Sequence, residues 1–174
     1  MKTKTILAVL QILAFLGGIG YSIQCGSQIL SLVASFINPD WAKRVYEAHA
    51  ELFILRDQHI YAYVFAMLIV IAVPAAKALI WYQLANLLLK LKIETPFSLT
   101  VANRLQTVSY LLVGIWALSV IGKLYLDWLS KTMATPLTGI SIGDESFFIA
   151  GIAYVFSQIF RRGVEIQDEN QLTV

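Results

Sequence analysis

Charge is the first thing this sequence is short of. Only 14% of its 174 residues are charged, against about 25% in an ordinary soluble domain. Apolar residues make up 58% and mean hydropathy is +0.70, a surface that suits lipid better than a single buried core. Cysteine is nearly missing. Cys25 alone excludes an intrachain disulfide and a cysteine-rich zinc site, and amid apolar residues it reads as a small packing residue. The two histidines, His49 and His59, fall on an outer loop and at a helix start. Haem in a membrane bundle takes axial ligands from facing helices, so both read as interfacial polar residues, and no cofactor or metal is expected. Thirteen basic and eleven acidic residues leave a net charge of +2 with no basic stripe, which argues against direct binding of nucleic acid. No carboxylate falls in the middle of an apolar run, so a proton relay has no buried acid. A glycine-rich phosphate loop, an HExxH motif and a serine or cysteine with an activating histidine are all lacking. An enzyme is therefore not expected. There is no internal repeat and no low-complexity tract.

What the sequence does have is apolar helices. Phe147 to Phe160, FFIAGIAYVFSQIF, carries no charge and stops at Arg161-Arg162-Gly163, after which the polar, acidic VEIQDENQLTV follows. An apolar rod meeting two arginines and then a soluble tail reads as a helix leaving a membrane on its positive side. Fourteen residues give only about 21 Å of helix. The span therefore borrows Ser141 to Ser146 outside, or runs on through Gly163 as a helix into the cytoplasm. At the other end, Lys2 and Lys4 precede an apolar run that continues to Ile37, past any signal-peptide cleavage point, which predicts an uncleaved anchor. Thr5 to Phe36 makes about 48 Å of helix against a ~30 Å hydrocarbon core, so it tilts or protrudes.

Between these ends, Asn38-Pro39-Asp40 breaks the first helix, and Asp40 is the expected cap of the next. Trp41, Val45, Ala48, Leu52 and Leu55 share one face, with Lys43, Arg44, Glu47 and Glu51 on the wet side, which predicts an amphipathic helix on the outer surface. Arg56, Asp57 and His59 are placed at its loop tip, where Asp57 and His59 could pair. A second span begins near His59 and contains Pro74, and Lys77 snorkels at its inner end. Beyond Lys77, in the pattern LIWYQLANLLLKLKI, Trp81 and Tyr82 suit an interfacial belt and Gln83, Asn86 and Lys90 fall on one face. The helix therefore either extends past the membrane or, as the favoured reading, bends to lie along the inner surface. Glu94-Thr95-Pro96 ends that segment, Ser98 or Thr100 caps the third span, and Lys123, Tyr125, Asp127 and Trp128 mark its exit. Lys131 to Gly143 reads as an outer loop, with Asp144 capping the last helix.

With both termini inside, the inner side holds Lys2, Lys4, Lys77, Lys90, Lys92, Arg104, Arg161 and Arg162, and the outer side Lys43, Arg44, Arg56, Lys123 and Lys131. The excess inside favours that orientation. The sequence thus predicts a single-domain, all-α integral membrane protein with spans over about 5–36, 59–80, 101–125 and 142–162 and a cytoplasmic tail, 163–174. An outer amphipathic helix and an inner juxtamembrane amphipathic helix accompany the four transmembrane helices. Gly18, Ser22 and Gly26 form a small-residue face on the first helix, and Ser146, Ala150, Ala153 and Ser157 form one on the last. Such faces let helices approach closely, and these two are expected to pair. Gln24 and Gln28 lie one turn apart on the first helix, as interhelical hydrogen-bonding residues or as a polar path for a small transporter or channel component. In the tail, Arg161, Arg162, Glu165, Ile166, Asp168, Glu169 and Leu172 combine charge with apolar residues, a pattern suited to docking on the inner helix or on a soluble partner.

The tail FRRGVEIQDENQLTV after an apolar helix, and the segment LLLKLKIETPFSLTVANRLQTVSYLL with its Pro-Phe turn and arginine-bearing helix start, resemble bacterial domain-of-unknown-function family 2975. The resemblance implies a small multi-pass protein of the bacterial inner membrane, without defined catalytic residues. Members are often encoded beside a small helix-turn-helix regulator, which implies a cytoplasmic DNA-binding partner that the membrane protein holds or releases. Besides lipid and such a regulator, a second copy of the chain is a possible partner. The long glutamine-bearing first helix departs from the family pattern.

Overall fold

The computed structural model describes residues 2–45, 50–90, 98–133 and 146–172, and side chains over 5–44, 52–89, 98–132 and 146–169. Among the described residues only Asn38, His59 and Ser98 are not helical. The elements are α1 (Lys2–Ile37), α2 (Pro39–Val45), α3 (Ala50–Gln58), α4 (Ile60–Lys90), α5 (Leu99–Met133) and α6 (Ser146–Leu172). Three described stretches are long and apolar enough to cross a membrane: Thr5–Ile37, Ile60–Leu89 and Leu99–Thr132. The described residues are thus almost entirely helical, with the character of a membrane protein.

The joints between helices are set by single residues. Asn38 accepts a hydrogen bond on Oδ1 from the Trp41 backbone N–H at 3.1 Å, while its own N–H donates to Ala34 O at 2.8 Å. It therefore closes α1 and caps α2, and Pro39 takes the first helical position, where its missing N–H costs nothing. Asp40, the cap expected from sequence, lies inside the first turn instead. Ser98, not Thr100, caps α5, its Oγ accepting from the Val101 N–H at 3.3 Å. His59 joins α3 to α4, donating to Leu55 O and accepting from the Tyr63 N–H. Arg56 and Asp57 are consequently residues of α3 rather than of a loop tip.

One further expectation changes. Helix α4 runs unbroken from Ile60 to Lys90, Pro74 included, so 77–90 is not a separate helix. Ala78, Ile80, Ala85 and Leu87 are buried, so packing continues along this part of α4. Helix α5 continues through Lys123, Tyr125, Asp127 and Trp128 to Met133. The segment expected to form one amphipathic helix contains two helices, α2 and α3; Glu47, Ala48 and His49 between them lie outside the described residues, as do Asp144 and most of the expected loop before it.

The chain divides into two compact units. One contains Met1–Ile19, Lys77–Trp116 and Glu145–Val174; the other contains Gly20–Ala76 and Ala117–Asp144. In the second, Leu52 and Leu55 of α3, Tyr63, Ala66 and Met67 of α4, and Leu126 and Leu129 of α5 form the core, with Leu32 of α1 against it. Phe65 and Tyr125 meet edge to face at 4.9 Å, a favoured aromatic geometry. The Cys25 thiol approaches Ile71 O at 3.9 Å, consistent with a packing residue. Lys43 of α2 pairs with Asp57 of α3 at 2.7 Å, so the partner of Asp57 is Lys43, not His59. That hydrogen bond, followed by the charges of Lys43 and Arg56, holds the Asp57 carboxyl below the ordinary aspartate range against the opposing effect of its slight burial.

In the first unit α1 packs against α4 through glycine. A Cβ on Gly17 would lie 2.7 Å from Trp81 Cδ2, and one on Gly18 would lie 2.9 Å from Tyr82 Cε1. A Cβ on Gly26 would meet nothing within 4 Å, and Ser22 is exposed. On α6, Ser109 Oγ of α5 donates to Ala150 O at 2.9 Å, both buried. Gly18 of the α1 small-residue face thus lies against α4, and Ala150 of the α6 face lies against α5.

Candidate functional site

The polar chemistry of the first unit collects around the start of α5. Residues at the beginning of a helix cannot all turn inward to an apolar core, and here Asn103, Arg104 and Gln106 turn to the two neighbouring helices instead. Arg104 Nη1 donates to Gln83 Oε1 of α4 at 3.0 Å. Arg161 of α6 donates from Nη2 to Gln106 Oε1 at 2.8 Å and to Asn103 Oδ1 at 3.2 Å. The Gln106 amide is used at both ends, since its Nε2 donates to Tyr110 Oη at 2.7 Å. Arg104 and Arg161 are both half-buried. The acceptors of these bonds are neutral amides, so they hold each guanidinium in place by charge-assisted hydrogen bonds rather than by ion pairs.

Arg161 sits where α6 changes character. Before it the inward face consists of Ser146, Ala150, Ala153 and Ser157, buried or half-buried; after it Val164 and Gln167 continue the same face, also half-buried. The helical repeat thus runs unbroken from the apolar stretch into the tail, and α6 extends to Leu172. The expectation that the helix runs on past Gly163 holds. The outward face of that extension carries Arg162, Glu165, Ile166, Asp168 and Glu169, all exposed, with Ile166 at 47%. Arg162 Nη1 donates to Glu165 Oε2 at 2.6 Å, one turn along. Three carboxylates and one arginine beside an exposed isoleucine make this an acidic face with an apolar flank.

The structure separates the seven tail residues that the sequence grouped. Arg161 is engaged with α5; Arg162, Glu165, Ile166, Asp168 and Glu169 share the exposed side; the Leu172 side chain lies outside the described residues. Gln24 is exposed and Gln28 half-exposed on α1. Sequence reasoning missed the links from Gln83 to Arg104 and from Arg161 to Asn103 and Gln106. The signal was available, since each pairs a guanidinium with an amide at a helix end, but partners on different helices are not marked by spacing. Gly17, in the closest approach to α4, was also passed over. Among the described residues no group of three or more His, Cys, Asp or Glu side chains is placed to hold a metal.

A family model described as "Protein of unknown function (DUF2975)" matches residues 29–174. The match takes in the end of α1 and all of α2 to α6, and leaves most of α1 outside it. No curated protein and no solved structure matches the chain.

Proposed function

The chain belongs to the DUF2975 family, and on that premise we propose that it is a bacterial inner-membrane interaction module that docks a soluble regulator on its cytoplasmic end. In this reading α6 is the fourth span, both termini are inside, and the lysine and arginine excess on that side sets the orientation. The observation that carries the reading is the helical extension of α6 beyond Arg161, with its exposed Glu165, Ile166, Asp168 and Glu169. A helix fastened at its base and acidic on its free side suits a basic protein with an apolar pocket, because charges steer the encounter and a buried apolar anchor holds it. Small helix-turn-helix regulators, the partner class that the family resemblance implies, carry the basic surface that DNA phosphates demand. Docking that surface on the acidic face would withdraw it from DNA. The reading has no catalytic step and needs no cofactor. The alternative of a small transporter draws no support from an exposed Gln24.

Affinity capture from native membranes tests this, comparing the wild-type chain with a Glu165→Lys, Ile166→Arg, Glu169→Lys variant. Wild type should retain a small DNA-binding protein that the variant loses, while thermal melting of both chains in detergent stays the same. Recovery of no such protein by wild type, or equal recovery by the variant, would overturn the reading.

A further inference from the structure

Among the three long apolar stretches, α1 is the least covered by the rest of the chain. Only 11% of its most apolar window is buried, against 33% for Ile60–Leu89 and 28% for Leu99–Thr132. On its open side Leu16, Gly20, Ile23, Gln24 and Ser27 recur at helical spacing, and all are exposed. A Cβ on Gly20 would meet nothing within 4 Å. The open face ends at Ser31, which is buried. Lipid covers leucine and isoleucine without difficulty. It cannot serve Gln24, whose amide has no hydrogen-bond partner among the described residues and lies about 4.5 Å along the helix from the middle of Thr5–Ile37. Acyl chains offer neither donor nor acceptor at that depth.

We infer that this face of α1 pairs with the same face of a second copy, with a reciprocal hydrogen bond between the two Gln24 amides at its centre. A carboxamide carries both donors and an acceptor, so it is complementary to itself. Two copies inserted with the same orientation and related by a two-fold axis along the membrane normal bring Gln24 to Gln24 at equal depth, without any further requirement on the partner. An unrelated helix would need a polar group at that one level. Gly20, one turn before, and Ser27, one turn after, are small and let the two backbones come close enough for short side chains to meet. Leu16 and Ile23 then pack across the pair instead of facing lipid. The pairing is independent of what the α6 extension binds, since it uses only α1.

The test is energy transfer between donor- and acceptor-labelled full-length chains, tagged at the amino terminus and reconstituted in vesicles over a series of lipid-to-protein ratios. Wild type should show transfer that falls on dilution along a two-state dimer curve. Gln24→Leu should shift that curve to about tenfold higher protein density, the size of one interhelical hydrogen bond in lipid at the upper end of its range. Gln24→Asn, which keeps the amide, should restore most of the association, and this separates loss of the hydrogen bond from misfolding. Gly20→Ile should weaken pairing while Gly26→Ile, off this face, should not. Transfer no greater than that of an unrelated monomeric membrane protein, equal association of Gln24→Leu and wild type, or equal effects of the two glycine variants would each overturn the inference.

Discussion

Replacing Gly17 with alanine adds one methyl group where the structure has no room for it. The new Cβ would stand 2.7 Å from Trp81 Cδ2, 2.9 Å from Cε3 and 3.0 Å from Cε2, all inside ordinary van der Waals contact. The indole is a rigid plane, so it must rotate or the two helices must part. Overpacking of this kind costs about 1–3 kcal/mol. Alanine also favours a helix over glycine by about 0.5–1 kcal/mol, which partly hides the clash in a single measurement. Gly26→Ala removes that ambiguity. It makes the same chemical change inside the same helix, but its Cβ meets nothing within 4 Å. The helix-propensity gain is common to both variants, and their difference isolates the contact with Trp81. Gly17→Ala should therefore be less stable than Gly26→Ala by about 1–3 kcal/mol, read as detergent-denaturation midpoints, with a changed Trp fluorescence only for the first. Equal stability of the two, or a more stable Gly17→Ala, would refute the close packing of α1 on α4.

Arg161→Ala removes both bonds to Asn103 and Gln106 and should cost about 1.5–3 kcal/mol, the range for a charged donor, together with faster proteolysis in Arg162–Leu172; an unchanged cleavage pattern would argue against Arg161 as the anchor of the extension. Lysine at this position should restore only part of the loss, because its ammonium is more strongly hydrated and less preorganised than the planar guanidinium. The Lys43–Asp57 pair is exposed on both sides, so Asp57→Asn should cost no more than about 1 kcal/mol at neutral pH. The sign follows from the lowered folded-state value: the contribution is complete above the unfolded aspartate value near 3.9 and fades as pH falls through the lower folded one. Stability of the variant and of wild type against pH should converge below that window, and a gap that widened on acidification would contradict the assignment.

The helices themselves were legible because each long apolar run has only one way to satisfy its backbone in lipid. Helix ends were less so. Asp40 and Asn38 are both good capping residues two positions apart, and only the reach of the Asn38 side chain to the Trp41 N–H decides between them. The bend expected after Lys77 rested on interfacial residue types, Trp81 and Tyr82. Both turned out to be the surfaces on which Gly17 and Gly18 of α1 rest, a role that hydropathy does not distinguish from a place at the membrane edge. The glycine pattern pointed to Gly18, Ser22 and Gly26 through their spacing of four, yet packing used the adjacent Gly17 and Gly18. Spacing identifies a face, and the neighbouring helix selects how much of it is used. Within the candidate site the exposed acidic residues of α6 could be read directly from the tail. The fastening of Arg161 to α5 could not, since it joins residues 55 and 58 positions apart.

The unbroken course of α6 has a mechanical meaning. A loose tail of about a dozen residues would let anything attached to it wander over roughly 20 Å. A helix pinned at Arg161 instead acts as a bracket: Ile166 stands about 6 Å along the axis beyond Arg162, and its direction is set by the same rod that carries Ala150 and Ser157. A protein seated on that bracket has a fixed orientation, so which of its surfaces is left open is decided by geometry. No hinge lies between the apolar part of α6 and its acidic face to absorb a movement. A turn of the rod at one end would reappear as a turn of the acidic face at the other.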